Sequence, residues 1–231
     1  MARYISKNIR KSLEQFDQTK EYSLSEAIEI IKKVSFVKFD ASIDLAFNLN
    51  LDTRKAEQQL RGAILLPHGT GKKIRVLVAS DDPKNQEACK KAGADIVASG
   101  LELEEILKKG VFEFDVMVAE PKMMITLGKY GKVLGPKGLM PNPKTGTVTP
   151  DPAKAVEELK KGKANYRADK AGIVHSLIGK VSMDTNSLVE NCEIVISLIK
   201  KLKPATIKGN YLISLTISST MGPSITINPS A

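Results

Sequence analysis

Ile74-Arg75-Val76-Leu77-Val78-Ala79 is the stretch that decides the fold, because the hydropathy pattern changes character there. Its nearly continuous apolar run suits a strand covered on both faces, with neither side left to water. A helix follows over about Pro83 to Ala92, then the strand Asp95-Ile96-Val97-Ala98. A helix near Leu101 to Lys109 and the strand Phe114-Asp115-Val116-Met117-Val118-Ala119 repeat the pattern. Strands alternating with helices imply βαβ units and a parallel sheet. After Pro121 a helix runs to about Tyr130, and from Gly131 to Pro152 frequent Gly and Pro predict an extended loop. A helix from Pro152 to about Lys161, capped by Asp151 and ended by Gly162, closes the region.

Outward from this region the pattern is of another kind. Ser42-Ile43-Asp44-Leu45-Ala46-Phe47-Asn48-Leu49 alternates polar and apolar, as in a sheet with one wet face. Before it, Leu24, Ala27, Ile28, Ile31 and Val34 recur at helical spacing, with Ser23 or Ser25 as the cap. Ala63-Ile64-Leu65-Leu66 is a short strand stopped by Pro67-His68-Gly69. Beyond Gly162, Ala164 to Arg167 and Ile173 to Ile178 read as strands joined at Asp169-Lys170-Ala171-Gly172, where Gly172 is free to take positive φ. A helix over about Asp184 to Leu202 precedes two strands, Tyr211 to Ser219 and Ser224 to Asn228, around a bend at Met221-Gly222-Pro223. The expected fold class is mixed, α+β and α/β. Residues 1–69 and 162–231 form a discontinuous α+β domain, and 70–161 an inserted doubly wound α/β domain. No internal repeat is visible.

The totals fit one large domain or two ordinary ones, since domains run ~100–200 residues and the chain has 231. Lys and Arg outnumber Asp and Glu by 35 to 26, a net charge of +9. A field of that sign attracts polyanions: nucleic acid first, an acidic membrane second. Cys89 and Cys192 lie far apart in apolar-periodic stretches and read as buried free thiols in a reducing cytosol. The opening Met1-Ala2-Arg3-Tyr4-Ile5-Ser6-Lys7 has neither the apolar core nor the cleavage site of a secretory signal. No run reaches the ~18 apolar residues of a membrane span. The expectation is a soluble cytoplasmic protein.

An enzyme built on the α/β region is the competing class. Gly69-Thr70-Gly71-Lys72-Lys73 resembles the tail of a phosphate-binding loop, but Leu66 stands where its first Gly belongs and Lys73 replaces the magnesium-holding hydroxyl. A dinucleotide fingerprint fails at Ile74. His68 follows a proline and reads as a hinge contact, and His175 lies in an alternating strand facing RNA or solvent rather than a metal. Glu104 and Glu105, beside Lys108 and Lys109, form a solvated ion-pair face. No catalytic residue, metal site or cofactor is expected. The alternative kept open is a nucleotide-dependent enzyme using the inserted domain.

Three segments suit nucleic acid, each with a plainer explanation beside it. Lys122, Lys129, Lys132, Lys137 and Lys144 occur without one Asp or Glu among them, and the Gly and Pro residues between keep backbone amides exposed to phosphates. A solvated lysine-rich loop accounts for the same residues. At the C-terminal bend, Thr216, Ser218, Ser219 and Thr220 offer hydroxyls to phosphate and ribose, with Met221 and Gly222 at the tip. An ordinary hairpin turn is the rival reading. Lys38-Phe39-Asp40-Ala41-Ser42 sets a cation, an aromatic and a hydroxyl together, although a lone Phe at a strand start is more often core.

Taken in order, several stretches carry a resemblance. They are Lys38-Phe39-Asp40, Arg61-Gly62-Ala63-Ile64-Leu65-Leu66-Pro67-His68-Gly69-Thr70-Gly71-Lys72 and Ala92-Gly93-Ala94-Asp95. Leu134-Gly135-Pro136-Lys137-Gly138-Leu139-Met140-Pro141-Asn142-Pro143-Lys144-Thr145-Gly146-Thr147-Val148 and Asp169-Lys170-Ala171-Gly172-Ile173-Val174-His175 follow. Thr220-Met221-Gly222-Pro223-Ser224 and Ile227-Asn228-Pro229 complete the set. The chain resembles the large-subunit ribosomal protein L-one family over nearly its whole length. Ser42 stands where Thr is common and keeps the hydroxyl.

The resemblance implies that the domain made from both chain ends grips RNA. Lys38, Phe39 and Ser42 would lie on one side, Lys170, Gly172, His175 and Lys180 on the sheet between, and Thr216, Ser218, Thr220, Met221 and Gly222 on the other side. Lys129, Lys132, Lys137 and Lys144 become a secondary nucleic-acid contact. The implied function is binding a folded rRNA junction at the mobile stalk near the tRNA exit site, assisting release of deacylated tRNA, and repressing the protein's own messenger. Expected partners are large-subunit rRNA, exit-site tRNA and the protein's own mRNA, with no membrane, for a chain monomeric outside the ribosome. Gly222→Val is expected to abolish RNA binding and leave unfolding unchanged.

Overall fold

The computed structural model describes residues 6–110, 112–207 and 209–228, with the side chains of Ala56 and Lys109 left out of the description. Met1 to Ile5 of the opening segment, and Pro229 of the last quoted stretch, therefore lie outside the described residues. In chain order the elements begin with α1 (Lys7–Leu13), α2 (Leu24–Val34), β1 (Ser42–Leu49) and β2 (Arg61–Leu65). Then come β3 (Val76–Ala79), α3 (Pro83–Lys91), β4 (Ile96–Ala98), α4 (Gly100–Lys109) and β5 (Val116–Ala119). Next are α5 (Met124–Lys129), α6 (Gly131–Leu134) and α7 (Pro152–Lys160). The last are β6 (Lys163–Ala168), β7 (Ile173–Lys180), α8 (Thr185–Lys201), β8 (Leu212–Ser219) and β9 (Ser224–Ile227). They form two compact units, one of the described residues up to Gly71 and from Ala164, the other Lys72–Lys163.

The first unit is a six-stranded sheet in the order β2-β6-β7-β1-β8-β9. β1 runs antiparallel between β7 and β8, and its strict alternation sends Ile43, Leu45, Phe47 and Leu49 into the core. There they meet α2 through Leu24, Ala27, Ile28 and Ile31, and α8 through Leu188, Cys192, Val195 and Ile199. One face is thus covered by helices and the other stays wet, which is what period-two patterning encodes. Phe47 is fully buried, and truncating such a residue to Ala costs about 3–5 kcal/mol. α2 starts where Ser23, not Ser25, makes a reciprocal capping box with Glu26, worth about 1 kcal/mol.

β7 carries a bulge. Ile43 pairs with Gly179 while the next residue, Asp44, pairs with Leu177, leaving Ile178 as an extra residue. Ile178 and Gly179 are both buried in succession and Lys180 returns to the wet side. A Cβ on Gly179 would lie 2.7 Å from Leu188 Cδ2 and 2.8 Å from Met183 Sδ, so glycine lets α8 pack against the strand here.

The second unit is a parallel sheet in the order β4-β3-β5. All four residues of β3 are buried, and they point alternately to two cores. Leu77 and Ala79 pack with Leu103, Leu107, Leu127 and Leu134, whereas Val76 and Val78 pack with Cys89, Val156 and Leu159. Helices therefore cover both faces, as the continuous apolar run requires.

Three local expectations need correction. Residues 131–152 are not simply extended: they contain α6 and a 3₁₀ turn at Pro143–Thr145, and Leu134 is fully buried. Val148 then bridges Ala119 in parallel, with Thr147 O accepting from Ala119 N at 2.9 Å. The segment is shaped by local side-chain bonds, among them Thr145 Oγ1 and Thr147 Oγ1 donating to Asn142 O. Such bonds leave no hydrophobic period to read. Asp151 does not cap α7 with its side chain and instead pairs with Lys154 at 3.5 Å. α1 has no counterpart in the sequence reading; it is seven residues long, with Ser6 accepting from Ile9 N. Both cysteines are free and buried. Among the described residues, no helix is long and apolar enough to cross a membrane.

Candidate nucleic-acid interface

The alternation that buries one face of the six-stranded sheet builds the other. Outward along β1 lie Ser42, Asp44, Ala46 and Asn48; β8 contributes Ser214, Thr216 and Ser218, and β9 Ser224 and Thr226. Register aligns them into rows. Thr226, Thr216, Ala46, His175 and Arg167 form one row across five strands, and Ser224, Ser218, Asp44 and Leu177 another. The face is hydroxyl-rich on one half and basic on the other. Hydroxyls donate to phosphate and accept from ribose, so the surface suits a sugar–phosphate backbone without dense charge.

At one end of the sheet the sequence-predicted residues converge. Phe39 is 55% exposed and Lys38 is exposed, so the aromatic is not core. Ser42 is joined to Thr220, whose hydroxyl accepts from Ser42 N at 3.1 Å and reaches Ser42 O at 3.3 Å. The Thr220 hydroxyl is therefore engaged internally and acts as a staple between β1 and β8. Lys180 pairs with Asp40 at 3.5 Å, and Asp40 also accepts from Ser182 N and Oγ. The Ser182 side-chain bond first, then its backbone bond and Lys180, hold the Asp40 carboxyl below the usual carboxylate range. Lys180 thus anchors the loop that carries Phe39.

Met221 forms the tip, 69% exposed and at φ 65°, the one non-glycine with positive φ among the described residues. An L-residue there costs about 1–2 kcal/mol. Gly222 follows it, where an added Cβ would press on the Ser219 hydroxyl and lie 3.3 Å from Ser219 O.

Lys170 and Gly172 sit at the opposite end of β1, about 23 Å away at ~3.3 Å per residue. Gly172 is buried at φ 80°, where a Cβ would lie 2.8 Å from Leu49 O, so it shapes the turn that carries Lys170. Lys170 is exposed and shares a groove with Thr53, Gln59, Arg61, Arg167 and Asp169. His175 is exposed in the middle of the sheet.

Sequence reasoning missed Asp44, Arg167, Ser214, Ser224 and Thr226. Continuing the period-two pattern through β8 and β9 would have found the hydroxyls. Arg167 joins only through strand order. Asp44 is half-buried; burial pushes its carboxyl up, and His175 draws it part of the way back.

In the second unit, Lys129, Lys132, Lys137 and Lys144 are all exposed, and Lys137 Nζ lies 4.2 Å from the Phe112 ring centre. The amides beside them are less available than composition suggests. Gly135 N, Gly138 N, Leu139 N and Gly146 N each donate to a nearby carbonyl. The ammonium groups remain; an amide nest does not. Gly69-Thr70-Gly71-Lys72-Lys73 leads into a strand, not out of a strand into a helix, so it has the wrong context for a phosphate-binding loop. His68 is tied to α8, its Nε2 2.6 Å from Glu190 Oε2 and its N–H donating to Asn191 Oδ1.

The sequence profile of the Ribosomal protein L1p/L10e family matches residues 31–223. Large ribosomal subunit protein uL1 of Metamycoplasma arthritidis is 63% identical over 227 residues, 98% of this chain and 99% of the relative. The protein of the same name from Mycoplasma mobile is 66% identical over 229 residues, 98% of each chain. That of Mycoplasmopsis pulmonis is 65% identical over 223 residues, 96% of this chain and 97% of the relative.

Proposed function

This chain belongs to the ribosomal protein L1p/L10e family, and on that footing we propose that it holds a folded junction of large-subunit rRNA against the wet face of its six-stranded sheet. It is a structural protein of the large ribosomal subunit and not an enzyme. The observation that supports the grip is the hydroxyl-lined face ending in two exposed apolar groups, Phe39 and Met221. Ser42, Thr216 and Ser218 match sugar and phosphate oxygens, while Phe39 stacks on a base and Met221 fills an apolar gap. Thr220 and Lys180 position these groups from behind. Lys170, with Arg61 and Arg167 beside it, meets phosphates at the far end, and His175 lies between.

A hydroxyl-based grip releases few counterions. Each neutralised phosphate contributes about −0.9 to the slope of log K against log salt, so the slope should stay well short of that for on the order of ten ion contacts. Filter binding to large-subunit rRNA fragments, against an unrelated RNA of equal length, tests the reading. Strong discrimination with a shallow slope is expected; equal binding to both RNAs overturns it. Two further roles extend the proposal: release of deacylated tRNA at the exit site, aided by Lys129, Lys132, Lys137 and Lys144, and repression of the chain's own mRNA through a mimic of the rRNA site. What supports the first is four exposed ammonium groups with no acidic partner among the described residues.

A further inference from the structure

Asp44 is out of place on a surface built for a polyanion. Aspartate is disfavoured in strands, yet Asp44 lies on β1, which has a neighbour on each side in the sheet. It is the only acid among the outward positions of the six strands. Its row neighbours are Ser218 and Leu177, neither of them cationic. Lys180, one row away, is committed to Asp40. Among the described residues the Asp44 side chain makes no hydrogen bond or salt bridge, and the one charge that acts on it is the His175 ring nearby on β7. A half-buried carboxylate without donors loses hydration, and the attraction of His175 offsets only part of that loss.

We propose that Asp44 is a specificity-determining residue of this face: its carboxylate accepts hydrogen bonds from an RNA donor group and keeps phosphates off the centre of the sheet. The donor is either the N1–H and N2–H edge of a guanine, which presents two parallel donors to two carboxylate oxygens, or a ribose 2′-hydroxyl. Both are groups that only a correctly folded RNA brings to this point. A phosphate arriving there instead meets an unscreened like charge. The outward neighbours Ala46 and Leu177 are apolar, and His175, the nearest charged neighbour on β7, forms no hydrogen bond to the carboxylate. The burial that raises the Asp44 carboxyl agrees with a group lacking protein donors.

The inference rests on the proposed rRNA grip, and its test separates the two. Wild type, Asp44→Asn and Asp44→Glu of the full chain are titrated with a large-subunit rRNA fragment and with an unrelated RNA of equal length. Loss of the charge-assisted bonds in Asp44→Asn should weaken fragment binding on the order of ten- to a hundredfold. Binding to the unrelated RNA should rise roughly two- to fivefold as the like charge goes. Asp44→Glu keeps the charge but displaces it, and should lose fragment affinity without gaining unspecific affinity. Fragments carrying inosine for guanine, or 2′-deoxy positions, identify the donor: the gap between wild type and Asp44→Asn closes on whichever lacks it. If wild type itself shows no preference, the grip fails and this inference with it. If wild type discriminates and Asp44→Asn discriminates equally well, or the gap closes on neither modified RNA, Asp44 reads nothing and only this inference falls.

Discussion

Met221→Gly is expected to make the protein more stable and a poorer RNA binder at once. The left-handed conformation of Met221 costs about 1–2 kcal/mol for an L-residue, and glycine removes that cost. Against it, glycine adds about 0.4–1 kcal/mol of unfolded-state entropy. Met221 is 69% exposed, so little packing is lost, and the net gain is about 0.5–1 kcal/mol. For a protein of this size that raises Tm by about 2–4 °C per kcal/mol. The loss in binding follows from the same exposure. Burying a whole Met side chain yields about 1.5–3 kcal/mol, so covering the exposed part under RNA yields roughly 1–2 kcal/mol. At 1.4 kcal/mol per tenfold, Kd should rise roughly five- to thirtyfold. Thermal or urea unfolding of the free protein, with filter binding to an rRNA fragment, measures both. A variant that melts lower would show that the tip conformation carries no strain. One that melts higher and binds equally well would remove Met221 from the interface.

Thr220→Val deletes the hydroxyl that staples Ser42, and should cost about 1–2 kcal/mol of stability, read as an earlier urea midpoint; an unchanged midpoint refutes the staple. Asp95 accepts from Lys160 Nζ at 2.7 Å and Val76 N at 2.8 Å, and these bonds, the lysine's first, hold its carboxyl below the usual range. A depressed folded-state pKa gives stability that is present above the unfolded aspartate range and lost as pH falls through the folded value. Asp95→Asn should therefore flatten the acid limb of stability below about pH 5, and a limb as steep as wild type contradicts this. Burial pushes the Cys192 thiol up to about 12 and raises Cys89 as well. Neither should react with a thiol reagent at neutral pH until the chain unfolds, and prompt labelling of native protein would refute their burial.

Sequence periodicity revealed most strands because burial on one face or two leaves a direct mark on the order of residues. The alternation of Ser42 to Leu49 and the apolar run of Val76 to Ala79 each correspond to observed strands. Where side chains bond locally to the backbone, as around Asn142, Thr145 and Thr147, no period survives and the compact segment read as a loop. The candidate interface was legible where its residues are neighbours in sequence, as at Lys38 and Phe39 or Thr220 and Met221. It was not legible where neighbours arise only by pairing. Arg167 shares a row with His175, Ala46 and Thr216 because β6, β7, β1 and β8 stand side by side, an order that no single strand encodes. At Gly172 the want of a Cβ answers crowding from the Leu49 and Leu51 carbonyls, which no sequence period encodes.

The extra residue in β7 has a consequence for how that strand tolerates change. Up to Leu177 odd positions look outward, and from Lys180 on even ones do, so Ile178 and Gly179 act as a half-step phase shift along the ribbon. Removing either one would restore simple alternation and leave Lys180 outward opposite Ser42, still within reach of Asp40. Residue identity at this point is consequently specified more tightly than chain length: were Gly179 the one lost, Ile178 would take its place against Leu188 and Met183. Losing Ile178 would spare that close approach, whereas losing Gly179 would push α8 off the ribbon.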